Sequence, residues 1–292
     1  MRSSLWIRPT LLPVALLLAA SCASSTKEAA PATPAAPVVA TPFAGEVGMG
    51  ISYLQTRAAD LVDATEALLQ AVESRNLAES QRAYYAARAP YEEIEVVSRA
   101  FPELHRAIDA RAHDFVDGEL SPEFRGFHRI EIFLFARGKT QPALKYAKFL
   151  LDDVEELQAV LADRGRFNAS QSFQAMVDRC TEISTKTITG EEETWSDQSL
   201  LVIKHGWTGV HSQYRHFATK VRAENVQLGE RLDRSYRKAL ELIAAEFPQG
   251  QTHASPYTLI SRDKRRGIAD ASVKLRMYLA EAQQALGLGQ PE

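Results

Sequence analysis

The stretch Ser121 to Gly138, SPEFRGFHRIEIFLFARG, sets a histidine and a glutamate three residues apart within an otherwise apolar run. At about 100° per residue on a helix, His128 and Glu131 share a stripe with Phe124 and Phe135, so both are expected to face inward. A carboxylate buried without a partner is costly, so an inward Glu beside an inward His needs a cation, a hydrogen-bond network or a metal ion. Further carboxylates stand upstream. Glu92 and Glu95 lie three apart on one helical face in Tyr91-Glu92-Glu93-Ile94-Glu95, with Glu93 pointing elsewhere, and Asp109 lies among small and apolar residues in Ala107-Ile108-Asp109-Ala110-Arg111. Carboxylate oxygens with one imidazole suit a hard or borderline ion, iron first, with zinc, copper or manganese as alternatives. The competing reading is a set of ion pairs, Glu92 and Glu95 with Arg88 and Arg99, beside a hydrogen-bonded core histidine.

The elements that must position these residues read as helices throughout. Ile51, Leu54, Ala58, Leu61, Leu68 and Val72 recur at three- and four-residue steps and predict a first helix over Val47 to Ser74. Leu77 to Ala100 is the second, kinked or interrupted at Pro90, and Pro102 opens a short third helix through Arg111. Asp114 to Leu120 reads as a loop, after which Ser121 caps the helix of His128 and Gly138 closes it. Thr140 and Asn168 or Ser170 cap the next two, reaching about Asp163 and Lys186. Thr189 with Glu192 forms a capping box ahead of a long helix, Trp195 to Glu224, and Leu228 to Phe247 and Ser261 to Leu286 complete the set. Little of the chain alternates with period two, and the short connections favour antiparallel neighbours. The expected fold is all-α, two packed up-and-down helical bundles, with inward side chains on facing helices as the place for a site.

The first 22 residues are expected to be removed from that fold. Arg2 and Arg8 precede the apolar run Leu11 to Ala20, too short to span a bilayer, which ends in Ala19-Ala20-Ser21-Cys22. This is the pattern of a bacterial lipoprotein signal, with Cys22 the lipidated first residue of the mature chain. Ala at position 23 favours the outer membrane of a Gram-negative cell. Residues 23–46 are rich in Ala, Pro and Thr and predict a disordered tether, leaving 47–288 as the helical domain. Loss of Arg2 and Arg8 takes the net charge from −3 to −5, which argues against nucleic acid as a partner. Only Cys180 then remains, so an intramolecular disulfide is excluded.

Gly126-Phe127-His128-Arg129-Ile130-Glu131 resembles the GxHxxE signature of imelysin-like proteins, in particular the EfeO branch of bacterial iron-uptake lipoproteins. Three more segments are similar to landmarks of that family, in the same order: Arg88 to Glu95, Ile108 to Arg111, and Ile188-Thr189-Gly190-Glu191-Glu192-Glu193. The resemblance runs over about Val47 to Leu286. It implies an all-helical double bundle outside the cytoplasm with a metal site in a cleft. It matches His128 and Glu131 to the signature's ligands and Glu92, Glu95 and Asp109 to further acidic positions. Many EfeO-type chains carry a cupredoxin domain ahead of the helices, for which the tether leaves no room. The chain departs from the family at Val202 and Gly206, where an Asp and an Asn are usual. His205, His211 and His216 on that helix read as surface or satisfied core histidines.

The function expected from these features is a lipid-anchored, extracytoplasmic metal-binding protein that captures iron for a membrane iron permease. The alternative is a cell-surface module for an anionic polysaccharide or a partner protein, without an obligatory metal. Peptidase activity is not expected, because the chain lacks HExxH and no Glu follows His128 to act as general base.

Overall fold

The computed structural model describes residues 42–289. The signal, the Cys22 lipobox and most of the tether lie outside the described residues. Among the described residues every regular element is helical. The first bundle is α1 (Ala44–Glu73), α2 (Leu77–Ile94) and α5 (Leu144–Ala162), with the short α3 (Pro102–Asp109) and α4 (Phe127–Glu131) on its flank. The second is α6 (Ala169–Thr185), α7 (Ser199–Glu224), α8 (Val226–Ile243) and α9 (Arg262–Ala285). Helix α7 also packs on α1 and α2, so a single apolar core passes from one bundle into the other. The stripe Ile51, Leu54, Ala58, Leu61, Leu68 and Val72 is fully enclosed, as its spacing predicts. Asn76, Asn168, Asn225 and Ser261 each accept a hydrogen bond from the first turn of their helix and fix the starts of α2, α6, α8 and α9.

Three local departures from regular helix shape the ground between the bundles. Pro90 lacks the N–H that would join the ladder of α2, and the α-helix runs on only to Ile94 before tightening into a 3₁₀ turn, Glu95–Ala100. Glu92 thus sits on the last α turn and Glu95 opens the 3₁₀ turn. The helix expected from Ser121 starts only at Phe127. Gly126 before it has φ 80°, and a Cβ there would lie 2.2 Å from the carbonyl oxygen of Ile108 and 2.5 Å from that of Ala107. Backbone contact with α3 ends the loop at that point, and Ser121 only closes a turn with the Glu123 N–H. After Glu131 the helix widens into a π turn, Ile132–Ala136, a form often found beside functional sites, and Gly138 at φ 60° stops it as expected.

Two predicted caps are replaced. Thr140 makes no side-chain cap, and a 3₁₀ turn, Gln141–Ala143, leads into α5 instead. Thr189 and Glu192 do not form a capping box: Thr189 donates to the Lys186 carbonyl, Glu192 turns into the protein, and α7 begins at Ser199 rather than Trp195.

Candidate metal centre

His128 is held between two carboxylates. Its Nδ1 lies 3.1 Å from Oε2 of Glu131 and its Nε2 lies 3.4 Å from Oδ1 of Asp109, a contact misaligned for a hydrogen bond. The other oxygen of Glu131 accepts the backbone N–H groups of Trp195 and Ser196, both at 2.8 Å, and so ties α4 to the segment ahead of α7. All three side chains are buried. Burial alone would lower the His128 pKa, but its approaches to Asp109 and Glu131 outweigh that and hold it at about 9. For Asp109 burial pushes upward, and Arg88 together with His128 wins, keeping its carboxyl well below the usual range.

Two enclosed arginines carry the cluster onward. Arg88 on α2 contacts Glu92 at 2.8 Å, Glu193 at 2.7 Å and Asp109, with its guanidinium over the Phe127 ring. Arg179 on α6 reaches across from the second bundle to Glu92 at 2.5 Å and Glu95 at 2.6 Å, and pairs with Glu182 on its own helix at 2.8 Å. Arg111 pairs with Glu192, which also accepts the Thr187 hydroxyl at 2.5 Å, while Glu193 takes the hydroxyls of Ser196 and Tyr84. Six buried carboxylates, Glu92, Glu95, Asp109, Glu131, Glu192 and Glu193, thus share the guanidiniums of Arg88, Arg111 and Arg179 and the imidazole of His128. The deficit of positive charge appears in the acids: burial pushes Glu92 up to about 7 and Glu95 well above the ordinary glutamate value, against the pull of their arginines.

The five residues singled out from the sequence therefore belong to one continuous cluster. Asp109 joins His128 and Glu131 directly, and Glu92 and Glu95 join through Arg88 and Arg179. The ion-pair reading holds in part: Arg88 does pair with Glu92, whereas Arg99 pairs with Asp178. Ligand atoms of Glu95, His105 and Asp109 all lie within 4.8 Å of one another, as do those of Glu95, Glu182 and Glu192. Glu92 Oε1 and Glu95 Oε2 are held by their ion pairs with Arg88 and Arg179, and His128 Nε2 is buried with only the misaligned contact to Asp109. Two clefts reach the cluster. One of about 180 Å³ is lined by His128, Glu131, Glu192, Arg111, Phe124 and Trp195. The other, of about 430 Å³, is lined by Glu95, His105, Asp178, Arg179 and Glu182 among others.

Arg179, His105 and Glu182 were missed by the sequence reading. A signal for Arg179 existed, since it interrupts the apolar stripe Phe173, Met176, Cys180, Ile183 of α6. Glu93 points away from the cluster as expected, accepting the Tyr53 hydroxyl and pairing with His205 Nδ1 at 2.7 Å. His205 is thus a satisfied histidine, and His211 stacks flat on Tyr236 at 3.8 Å. Val202 is core, and Gly206 lies against Arg179.

The arrangement defines a class: an all-helical double bundle with a buried cluster of acids and one histidine where its two halves meet. The imelysin (peptidase M75) family model matches residues 52–284, and the chain belongs to the imelysin family. An EfeM/EfeO family lipoprotein of Staphylococcus aureus strain NCTC 8325 is 28% identical over 220 residues, 75% of this chain and 77% of that one. Its counterpart in Staphylococcus haemolyticus is 28% identical over 211 residues, 72% of each chain. The crystal structure of an imelysin-like protein from Psychrobacter arcticum superposes with a TM-score of 0.60 at 10% identity, covering 84% of this chain and 98% of that chain, a likeness of fold.

Proposed function

We propose that this protein is a lipid-anchored, extracytoplasmic metal-binding protein that captures iron for delivery to a membrane iron permease. One observation carries the reading: His128 lies between the carboxylates of Asp109 and Glu131 in a buried, acid-rich cluster beside a cleft open to solvent, and Asp109 also belongs to a group, with Glu95 and His105, whose ligand atoms lie within 4.8 Å of one another. His128, Glu131 and Asp109 are the proposed core of the ligand set, with Glu92 and Glu95 adjoining. Oxygen donors with a single nitrogen suit iron better than they suit a soft ion. Lipid anchoring at Cys22 is supported by the leader and by the lipoprotein relatives.

A binding role is favoured over hydrolysis because Arg129, not a glutamate, follows His128, and its guanidinium is laid over the Phe124, Phe133 and Tyr146 rings away from the cluster. The test is anaerobic calorimetry with Fe(II), and with Fe(III) under air, on the full chain purified in detergent. Native protein should bind, and the His128→Ala, Glu131→Ala double variant should lose at least about tenfold in affinity; unchanged binding sinks the assignment. In the same preparations Cys22→Ala should move the protein out of the detergent phase without altering iron binding.

A further inference from the structure

Arg179 touches three carboxylates, Glu92, Glu95 and Glu182, and it stands where those acids would hold a cation. Glu95, Glu182 and Glu192 bring ligand oxygens within 4.8 Å of one another, and Arg179 is paired with two of the three, Glu95 and Glu182. Its location is specific to the local sequence. A Cβ at Gly206 would lie 3.0 Å from Arg179 Nε, 3.3 Å from Nη2 and 3.0 Å from Ile183 Cδ1, so a side chain on α7 would press on the guanidinium and make its neighbours give by a few tenths of an ångström. The guanidinium also has somewhere to go, because Arg179 forms part of the wall of the larger cleft, beside Asp178 and Glu182.

We propose that Arg179 is a built-in counter-ion that competes with the metal: it holds Glu92 and Glu95 in the metal-free chain and withdraws into the larger cleft when an ion enters. The proposal rests on the metal-binding reading above. Arg179 contacts Oε2 of Glu92 and Oε2 of Glu95 at 2.5–2.6 Å, so an ion that takes those two oxygens must displace it, and the apparent affinity is then the intrinsic affinity reduced by the fraction of molecules in which the guanidinium has withdrawn. Such a device keeps the empty site folded without leaving carboxylates bare, and it weakens retention of a cargo that must later be surrendered.

Anaerobic Fe(II) calorimetry on the full chain in detergent, comparing native, Arg179→Gln and Gly206→Ala, tests this. Both variants should bind about tenfold more tightly than native. Gly206→Ala retains the charge and only crowds it out of position, so it separates displacement from charge removal. Arg179→Gln should also melt lower when metal-free and rise further on adding metal, a pattern that a merely structural arginine would not give. If native protein binds iron and a folded Arg179→Gln binds no tighter, the counter-ion role is overturned. If Arg179→Gln does not fold, Gly206→Ala decides alone, and equal or weaker binding overturns it. If native protein binds no iron, the metal-binding reading falls and takes this proposal with it.

Discussion

At the scale of single residues, His128 shows how opposing terms settle a charge. Its burial favours the neutral ring, yet a carboxylate on each side reverses the sign and raises the pKa from 6.5 to about 9. A folded-state pKa above the unfolded value stabilises the fold fully below the unfolded pKa, and the contribution disappears as pH rises through the folded one. In the metal-free protein the stability difference between native and His128→Gln should therefore be largest below pH 6.5 and fall to a pH-independent remainder above pH 9, with a span of a few kcal/mol. Urea denaturation across that window checks it: a difference independent of pH would mean that the folded-state pKa is not raised, and one that shrinks below pH 6.5 would mean that the imidazole is held neutral. The same residue shows what spacing can convey. His128 and Glu131 are legible because three positions along a helix always share a face. Their second partner, Asp109, is brought in by α3 and was legible only as an acid among apolar neighbours.

At the scale of elements, legibility divides along local and non-local causes. The long helices α1, α2, α5, α6, α8 and α9 declare themselves because one face of each meets the core and the period survives in the sequence. The entry to α4 does not. Ser121 and Pro122 look like a helix start, but the start is set by where α3 allows a backbone to pass, and that place is Gly126. Likewise Thr189 and Glu192 have the spacing of a capping box, but Arg111 lies within reach from another segment and takes the glutamate. Gly126 thus becomes the most sensitive backbone position near the cluster. Gly126→Ala would meet carbonyl oxygens at 2.2 and 2.5 Å in a left-handed conformation, so α3 and α4 must separate. The expected cost is about 2–4 kcal/mol in urea denaturation, together with loss of iron affinity as Asp109 leaves His128. A cost below about 1 kcal/mol would show that the close approach relaxes freely.

At the scale of the whole molecule, the cluster is the polar seam between two bundles. Arg179 from the second bundle is locked onto Glu92 and Glu95 of the first, and Glu131 of α4 holds the two N–H groups that lead into α7. A cation bound there would fasten α2, α3 and α4 to one another beside that seam, while the unfolded chain offers it only scattered carboxylates. Linkage then requires that metal stabilise the entire fold: at about 100 times the dissociation constant the gain is about 2.7 kcal/mol. For a domain of this size that corresponds to a rise of about 5–10 °C in the melting midpoint. Both bundles share one core through α7, so the rise should appear in a single transition, whether followed by helix content or by the fluorescence of Trp207, which is buried in that core. The His128→Ala, Glu131→Ala variant should melt at a midpoint that iron no longer moves. Two separated transitions, only one of them shifted by iron, would place the ion within a single bundle and remove the seam from the account of binding.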